Sequence, residues 1–125
     1  MHNYKKLMVW QDAVDFSVKL YHATKTFPAD ERFGLISQLR RASVSIPSNI
    51  AEGAGRNSRK SFAGFLDVSL GSSFELETQL LISKKVGYLT EVVFDELMRE
   101  LSRIQKMIVS FRKRLITGGS NLSEE

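Results

Sequence analysis

The stretch Leu35 to Arg56 reads LISQLRRASVSIPSNIAEGAGR and joins an apolar helical row, a central proline, a set of polar side chains and a glycine-rich exit. Leu35, Leu39, Ala42, Ile46, Ile50 and Gly53 recur at spacings of three and four. A helix through them has one apolar, small-residue face that another element must cover. Gln38, Ser45, Asn49 and Glu52 lie at spacings of seven, four and three beside that row, and they need partners wherever neighbouring helices bury them. Pro47 removes one backbone donor, at about 3 kcal/mol in a helix interior. The row from Ala42 through Ile46 to Ile50 nevertheless keeps its phase, which predicts a continuous helix bent at Pro47.

Outward from this stretch the chain reads as helices separated by short breaks. On the amino-terminal side Trp10, Ala13, Val14, Ser17, Leu20, Tyr21, Thr24 and Phe27 form one stripe, predicting an amphipathic helix from Val9 to Thr26. Phe27-Pro28 ends it, because proline disfavours the helical conformation in the residue before it. The next helix opens near Arg32 to Gly34. On the carboxy-terminal side Gly53, Ala54 and Gly55 break the second helix, and Asn57 or Ser58 caps a third from Arg59 to Val86. Its face holds Phe62, Phe65, Leu66, Ser69, Leu70, Ser73, Leu76, Leu80 and Ser83. Gly64, Gly71 and neighbouring serines lower its helix propensity, by up to about 1 kcal/mol per glycine, so a close helix approach is expected there. Gly87 suits a left-handed cap and Thr90 an N-cap. Phe94, Leu97, Leu101, Ile104, Ile108, Phe111 and Leu115 then alternate spacings of three and four, the pattern of knobs-into-holes packing in a fourth helix.

Length and composition agree. A chain of 125 residues suffices for one domain with its own core and is too short for two ordinary ones. With no cysteine, neither a disulfide framework nor a cysteine-ligated metal can form, and a reducing, cytoplasmic setting is expected. No apolar run approaches the ~20 residues that span a bilayer. The LMVW run is interrupted at Gln11 and Asp12 and lacks a cleavage site of small residues, so it does not read as a signal peptide. The formal charge of +4 leans mildly towards polyanionic partners. The expected fold is all-α, an up-down-up-down antiparallel four-helix bundle over residues 1–116, with a flexible start and a disordered tail over 117–125.

The segments from Gln38 to Gly53, QLRRASVSIPSNIAEG, and from Leu70 to Glu77, LGSSFELE, resemble the four-helix-bundle proteins first noticed as open reading frames in 23S rRNA intervening sequences. The resemblance runs from Leu7 to Arg114; Ser43 stands where that family often has alanine, and Gly71-Ser72 matches its usual Gly-Ser pair. It implies a ring-shaped homopentamer of four-helix bundles. A related accessory protein of diversity-generating retroelements binds nucleic acid and a reverse transcriptase, while most relatives have no assigned activity.

The polar residues of the two motifs fall in rows: Gln38, Ser45, Asn49 and Glu52 on the second helix, Ser72, Glu75 and Gln79 on the third. They are expected to meet across the bundle. A hydrogen-bonded network that fixes register is the favoured meaning; the sharper one is a docking surface for a neighbouring subunit or partner, marked by Arg40, Arg41, Asn49, Glu52 and Arg56.

Arg99, Lys106 and Lys113 recur every seven positions opposite the apolar seam of the fourth helix, with Arg103 and Arg112 alongside. Such a stripe suits phosphate contacts with RNA or DNA, and equally a solvated face diluted by Asp95, Glu96 and Glu100. Arg56, Arg59 and Lys60, at the junction of the second and third helices, form a second basic patch.

Enzymatic chemistry finds little footing. His2 and His22 are the only histidines, so the paired Glu-x-x-His sites of di-metal bundles cannot be built, and no metal or cofactor is expected. Gly53 and Gly55 are not followed by Gly-Lys-Ser/Thr, and Ser110-Phe-Arg-Lys113 lies mid-helix with no partner motif. Two function classes remain: a nucleic-acid-binding accessory protein with basic helix faces, and a protein-interaction scaffold in which the charge is incidental. A homo-oligomer is expected in both, and no membrane contact.

Overall fold

The computed structural model describes residues 2–118; of the expected tail, residues 119–125 lie outside the described residues. Four helices make up the fold: α1 (Met8–Thr24), α2 (Leu35–Ala54), α3 (Arg59–Lys85) and α4 (Glu91–Thr117). Single 3-10 turns at Tyr4–Lys6 and Ala29–Glu31 precede α1 and α2. No strand occurs among the described residues.

Contacts between helices give the course of the chain. Ser17 bonds Ser43 and Tyr21 bonds Arg40; Ser45 meets Ser72 and Gly53 approaches Phe62; Asp67 meets Arg112 and Glu77 meets Gln105; Asp12 meets Arg103 and Lys19 meets Glu100. In each pair of neighbouring helices the residue numbers run in opposite senses, so consecutive helices are antiparallel and α1 closes the array against α4. This is an up-down-up-down arrangement.

The helices end where local chemistry stops them. Ser58 Oγ accepts from Ser61 N at 3.0 Å and Thr90 Oγ1 from Val93 N at 3.2 Å, each filling one of the donors that a helix start leaves open. Gly87 and Gly118 take positive φ, 89° and 80°, after α3 and α4. The α2 start has no side-chain cap from Gly34; Glu31 Oε1 instead accepts from Leu35 N at 3.2 Å. Thr117 still belongs to α4, so the helix runs one residue past the expected boundary at 116.

The core follows the apolar rows. In α4 Leu97, Leu101, Ile104, Ile108, Phe111 and Leu115 are all buried, as their spacing requires, each contributing roughly 1.5–3 kcal/mol of apolar transfer. In α1 Val9 and Phe16 are buried while Tyr21 is exposed, so the stripe is rotated slightly from the expected one. The start of the chain is also packed. Leu7 is fully buried, His2 N donates to Ala54 O at 2.8 Å, and the His2 ring lies 5.3 Å from Phe62.

Helix α2 continues unbroken through Pro47. The donor that proline lacks would have bonded the carbonyl of residue 43. Ser17 Oγ of α1 donates to that carbonyl at 2.9 Å. On the α3 side Ser69 Oγ donates to Ile46 O at 2.9 Å. Close approach of α2 and α3 occurs at Gly53, where an added Cβ would sit 2.7 Å from Phe65 Cβ and 2.8 Å from Phe62 Cδ1. Gly64 and Gly71, for which the sequence also predicts close approach, face open space.

Candidate nucleic-acid interface

Helix α4 buries Leu101, Ile108 and Leu115 and turns the opposite side outward, where Arg99, Lys106 and Lys113 are exposed. Seven residues are almost two turns, so successive cations lie roughly 10 Å apart along the helix. None of the three side chains has a hydrogen-bond or ion-pair partner among the described residues.

The flanking arginines are engaged otherwise. Arg112 Nε and Nη2 fork onto Asp67 at 2.5 and 3.1 Å, tying α4 to α3. Arg103 Nη2 lies 3.8 Å from Asp12 on α1, beside the Lys19–Glu100 bond. The Glu100 hydrogen bond raises the Lys19 ammonium pKa above the ordinary lysine range, against a smaller opposing effect of burial. Of the five expected stripe residues, three therefore present free charge and two clamp helices together. The partners that neutralise Arg103 and Arg112 sit on other helices, beyond the reach of a periodicity argument.

The second basic patch divides the same way. Arg56 donates to Glu52 Oε1 at 3.2 Å and stands over the Phe65 ring at 4.7 Å. Arg59 and Lys60 are exposed and line a cleft of about 750 Å³ shared with Asp67, Arg112 and Leu115. Beside them the His2 imidazole is held below the usual histidine range, first by burial and then by the positive charges of the amino terminus and Arg59.

The polar motif forms a chain at the rim between α2 and α3. Asn49 Nδ2 donates to Ser45 O and Oγ at 2.8 and 2.9 Å, and Ser45 Oγ shares a 2.8 Å bond with Ser72 Oγ across the helix pair. Gln79 Nε2 donates to Glu75 Oε1 at 3.3 Å, and Gln79 Oε1 is buried without a donor among the described residues. Gln38, Arg41, Glu52 and Glu75 are exposed and stay outside the cross-helix bond. Arg40 turns away from this face. Its Nε donates to Thr24 Oγ1 at 3.0 Å, its Nη2 to Tyr21 O at 3.3 Å, and its guanidinium stacks 4.5 Å from the Tyr21 ring. That puts a cation at the negative end of α1, so Arg40 joins α2 to α1.

Phe74 escapes a reading by periodicity. It lies between the motif serines and Glu75, yet it is about half exposed on the α4 side of α3. Among the described residues no three histidine, cysteine or carboxylate side chains converge as a metal-binding group, and no helix is long and apolar enough to cross a membrane.

Residues 5–110 match the family described as 23S rRNA-intervening sequence protein. The chain belongs to that family. A 1.70 Å crystal structure of a protein with unknown function from the S23 ribosomal protein family of Bacteroides thetaiotaomicron shares the fold, with a TM-score of 0.76 at 24% identity. The match covers 85% of this chain and 99% of that one. No curated protein matches the chain. The 23S rRNA-intervening sequence match takes in both polar motifs, Arg99 and Lys106, and stops short of Arg112 and Lys113 in the last turns of α4.

Proposed function

We propose that the chain is a non-enzymatic, cytoplasmic accessory protein that binds RNA or DNA through the outward face of α4 and works as a homo-oligomer. Support comes above all from Arg99, Lys106 and Lys113, three exposed cations in register without carboxylate partners among the described residues. A surface lysine or arginine with no internal partner keeps its charge available, and phosphates that meet it release bound counterions. Arg59 and Lys60 extend the basic surface at the end of the bundle where α3 begins and α4 closes. No base-reading groove is formed by one convex helix face, so contacts fall on the backbone and sequence preference is weak.

The pentameric ring rests on the family resemblance, and a ring would repeat the α4 stripe around its circumference. Light scattering at micromolar concentration should return the mass of five chains; the mass of one would remove the ring. For nucleic acid, the test is fluorescence anisotropy with structured RNA, single-stranded DNA and duplex DNA, comparing the wild type with Arg99→Glu, Lys106→Glu, Lys113→Glu combined. The expected result is binding that disappears in a variant with unchanged circular dichroism. Equal affinity of variant and wild type would remove α4 as the interface.

A second reading, a protein-interaction scaffold, is favoured by one feature. Val18, Tyr21 and Val44 are exposed around a cleft of about 560 Å³ between α1 and α2 that reaches Pro47. Exposed apolar groups gathered in one cleft suit a protein surface. Partner capture that is insensitive to salt would speak for it.

A further inference from the structure

On the α3 side of the basic stripe lies a cleft of about 440 Å³, lined by Leu70 and Phe74 of α3 and by Gln105, Lys106, Val109 and Lys113 of α4 among others. Leu70 packs against the core from its floor, while Phe74 and Val109 are 52% and 51% exposed. A phenylalanine held half in water forgoes apolar stabilisation that the core could have supplied. The fold does not need it there: the α3 core is completed by Phe62, Leu66, Leu76 and Leu80. No carboxylate lines the cleft; nearby, Asp67 is paired with Arg112, and Glu77 accepts from the amide of Gln105 at 3.1 Å. Lys106 and Lys113, by contrast, stand at the rim without partners among the described residues.

An open aromatic ring beside free ammonium groups joins a stacking face to phosphate contacts, the two elements by which proteins hold unpaired strands. In a duplex the bases are already stacked on one another and offer no face to the ring, so only an unpaired strand can use both. The geometry points to this cleft as a binding site for single-stranded nucleic acid, with a base stacked on Phe74 and the flanking phosphates on Lys106 and Lys113. This specifies the nucleic-acid reading above, on which it rests. A peptide would need only the charges and some apolar contact; the flat ring next to cations favours the nucleobase.

The test uses the full chain, fluorescently labelled oligothymidylate, and a duplex of the same length at low salt, with Phe74→Ala and Phe74→Trp beside the wild type. Unchanged thermal unfolding shows that the variants fold. Phe74→Ala should lose about 5- to 150-fold in affinity for oligothymidylate, the range for removing one stacking side chain. It should bind the duplex like the wild type, and Phe74→Trp should retain single-strand affinity. Wild-type binding that Phe74→Ala leaves intact on both probes would overturn the stacking site alone and leave the basic stripe standing. No wild-type binding to either probe would remove both. Polyglutamate bound as tightly as oligothymidylate, with the same dependence on Phe74, would overturn the site as one for nucleic acid and make it a site for acidic peptides.

Discussion

Ser17 Oγ donates a 2.9 Å hydrogen bond to the carbonyl of Ser43, the acceptor whose in-helix donor would have been the missing N–H of Pro47. Both serines and the proline are buried, so water cannot take the place of that donor cheaply. A proline in mid-helix is thus turned into a tie between α1 and α2.

Removing the hydroxyl tests the tie. Ser17→Ala should destabilise the protein by about 1–3 kcal/mol, the range for leaving a buried carbonyl unsatisfied. In a Pro47→Ala background, where residue 47 regains its N–H, the same change should cost distinctly less. Urea unfolding of the four proteins completes the cycle. Equal costs in the two backgrounds would mean that Ser17 acts through something other than the proline.

Glycines in α2 and α3 divide by what surrounds them. Gly53→Ala would force a Cβ to within 2.7 Å of Phe65 Cβ, backbone-near and unable to swing aside, and should cost about 1–3 kcal/mol as an overpacked contact. Gly64→Ala and Gly71→Ala meet nothing within 4 Å and should each stabilise α3 by up to about 1 kcal/mol through helix propensity. Thermal unfolding of the three variants orders them; a stabilised Gly53→Ala would contradict the close approach of α2 and α3.

These outcomes also mark what could be read from the sequence. The seam of α4 was legible because every buried position is a large apolar residue at spacings of three and four. The stripe of α1 was legible only approximately, since Tyr21 looked apolar enough to be core while Phe16 did the burying. Continuity through Pro47 could be anticipated from phase, but its hydrogen-bond donor lies 26 residues away on another helix. At the basic surface the heptad of Arg99, Lys106 and Lys113 was readable. The neutralisation of Arg112 by Asp67 and of Arg103 by Asp12 was not, and Phe74, which falls outside the apolar row of α3, carries no signal of the cleft it lines, because the α4 side chains that complete that cleft lie more than 30 residues further along the chain.

Tyr88 gives a pH signature. Its hydroxyl donates to Glu31 Oε2 at 3.0 Å, and that hydrogen bond, then burial and the charges of Glu31 and Asp30, raise the phenol above the ordinary tyrosine pKa of 10.0. A raised folded pKa means that the folded chain holds the proton longer than the unfolded one. The stabilisation is therefore complete below pH 10 and is lost as pH rises through the folded value. Phenolate absorbance of the wild type minus that of Tyr88→Phe should show one tyrosine titrating late, and Tyr88→Phe should remove part of the alkaline loss of stability. A difference titration centred at the ordinary value would dissolve the link between Tyr88 and Glu31.

The measurement that reaches the central claim most directly is the salt dependence of single-strand binding by the wild type. Three phosphate contacts per chain, from Arg99, Lys106 and Lys113, predict that log K falls against log salt with a slope of about −2. Lys106→Gln should reduce the magnitude of that slope by about one contact, while Arg112→Gln, whose guanidinium already belongs to Asp67, should leave it alone. A slope near zero, or one that Lys106→Gln does not change, would contradict a phosphate-binding face on α4.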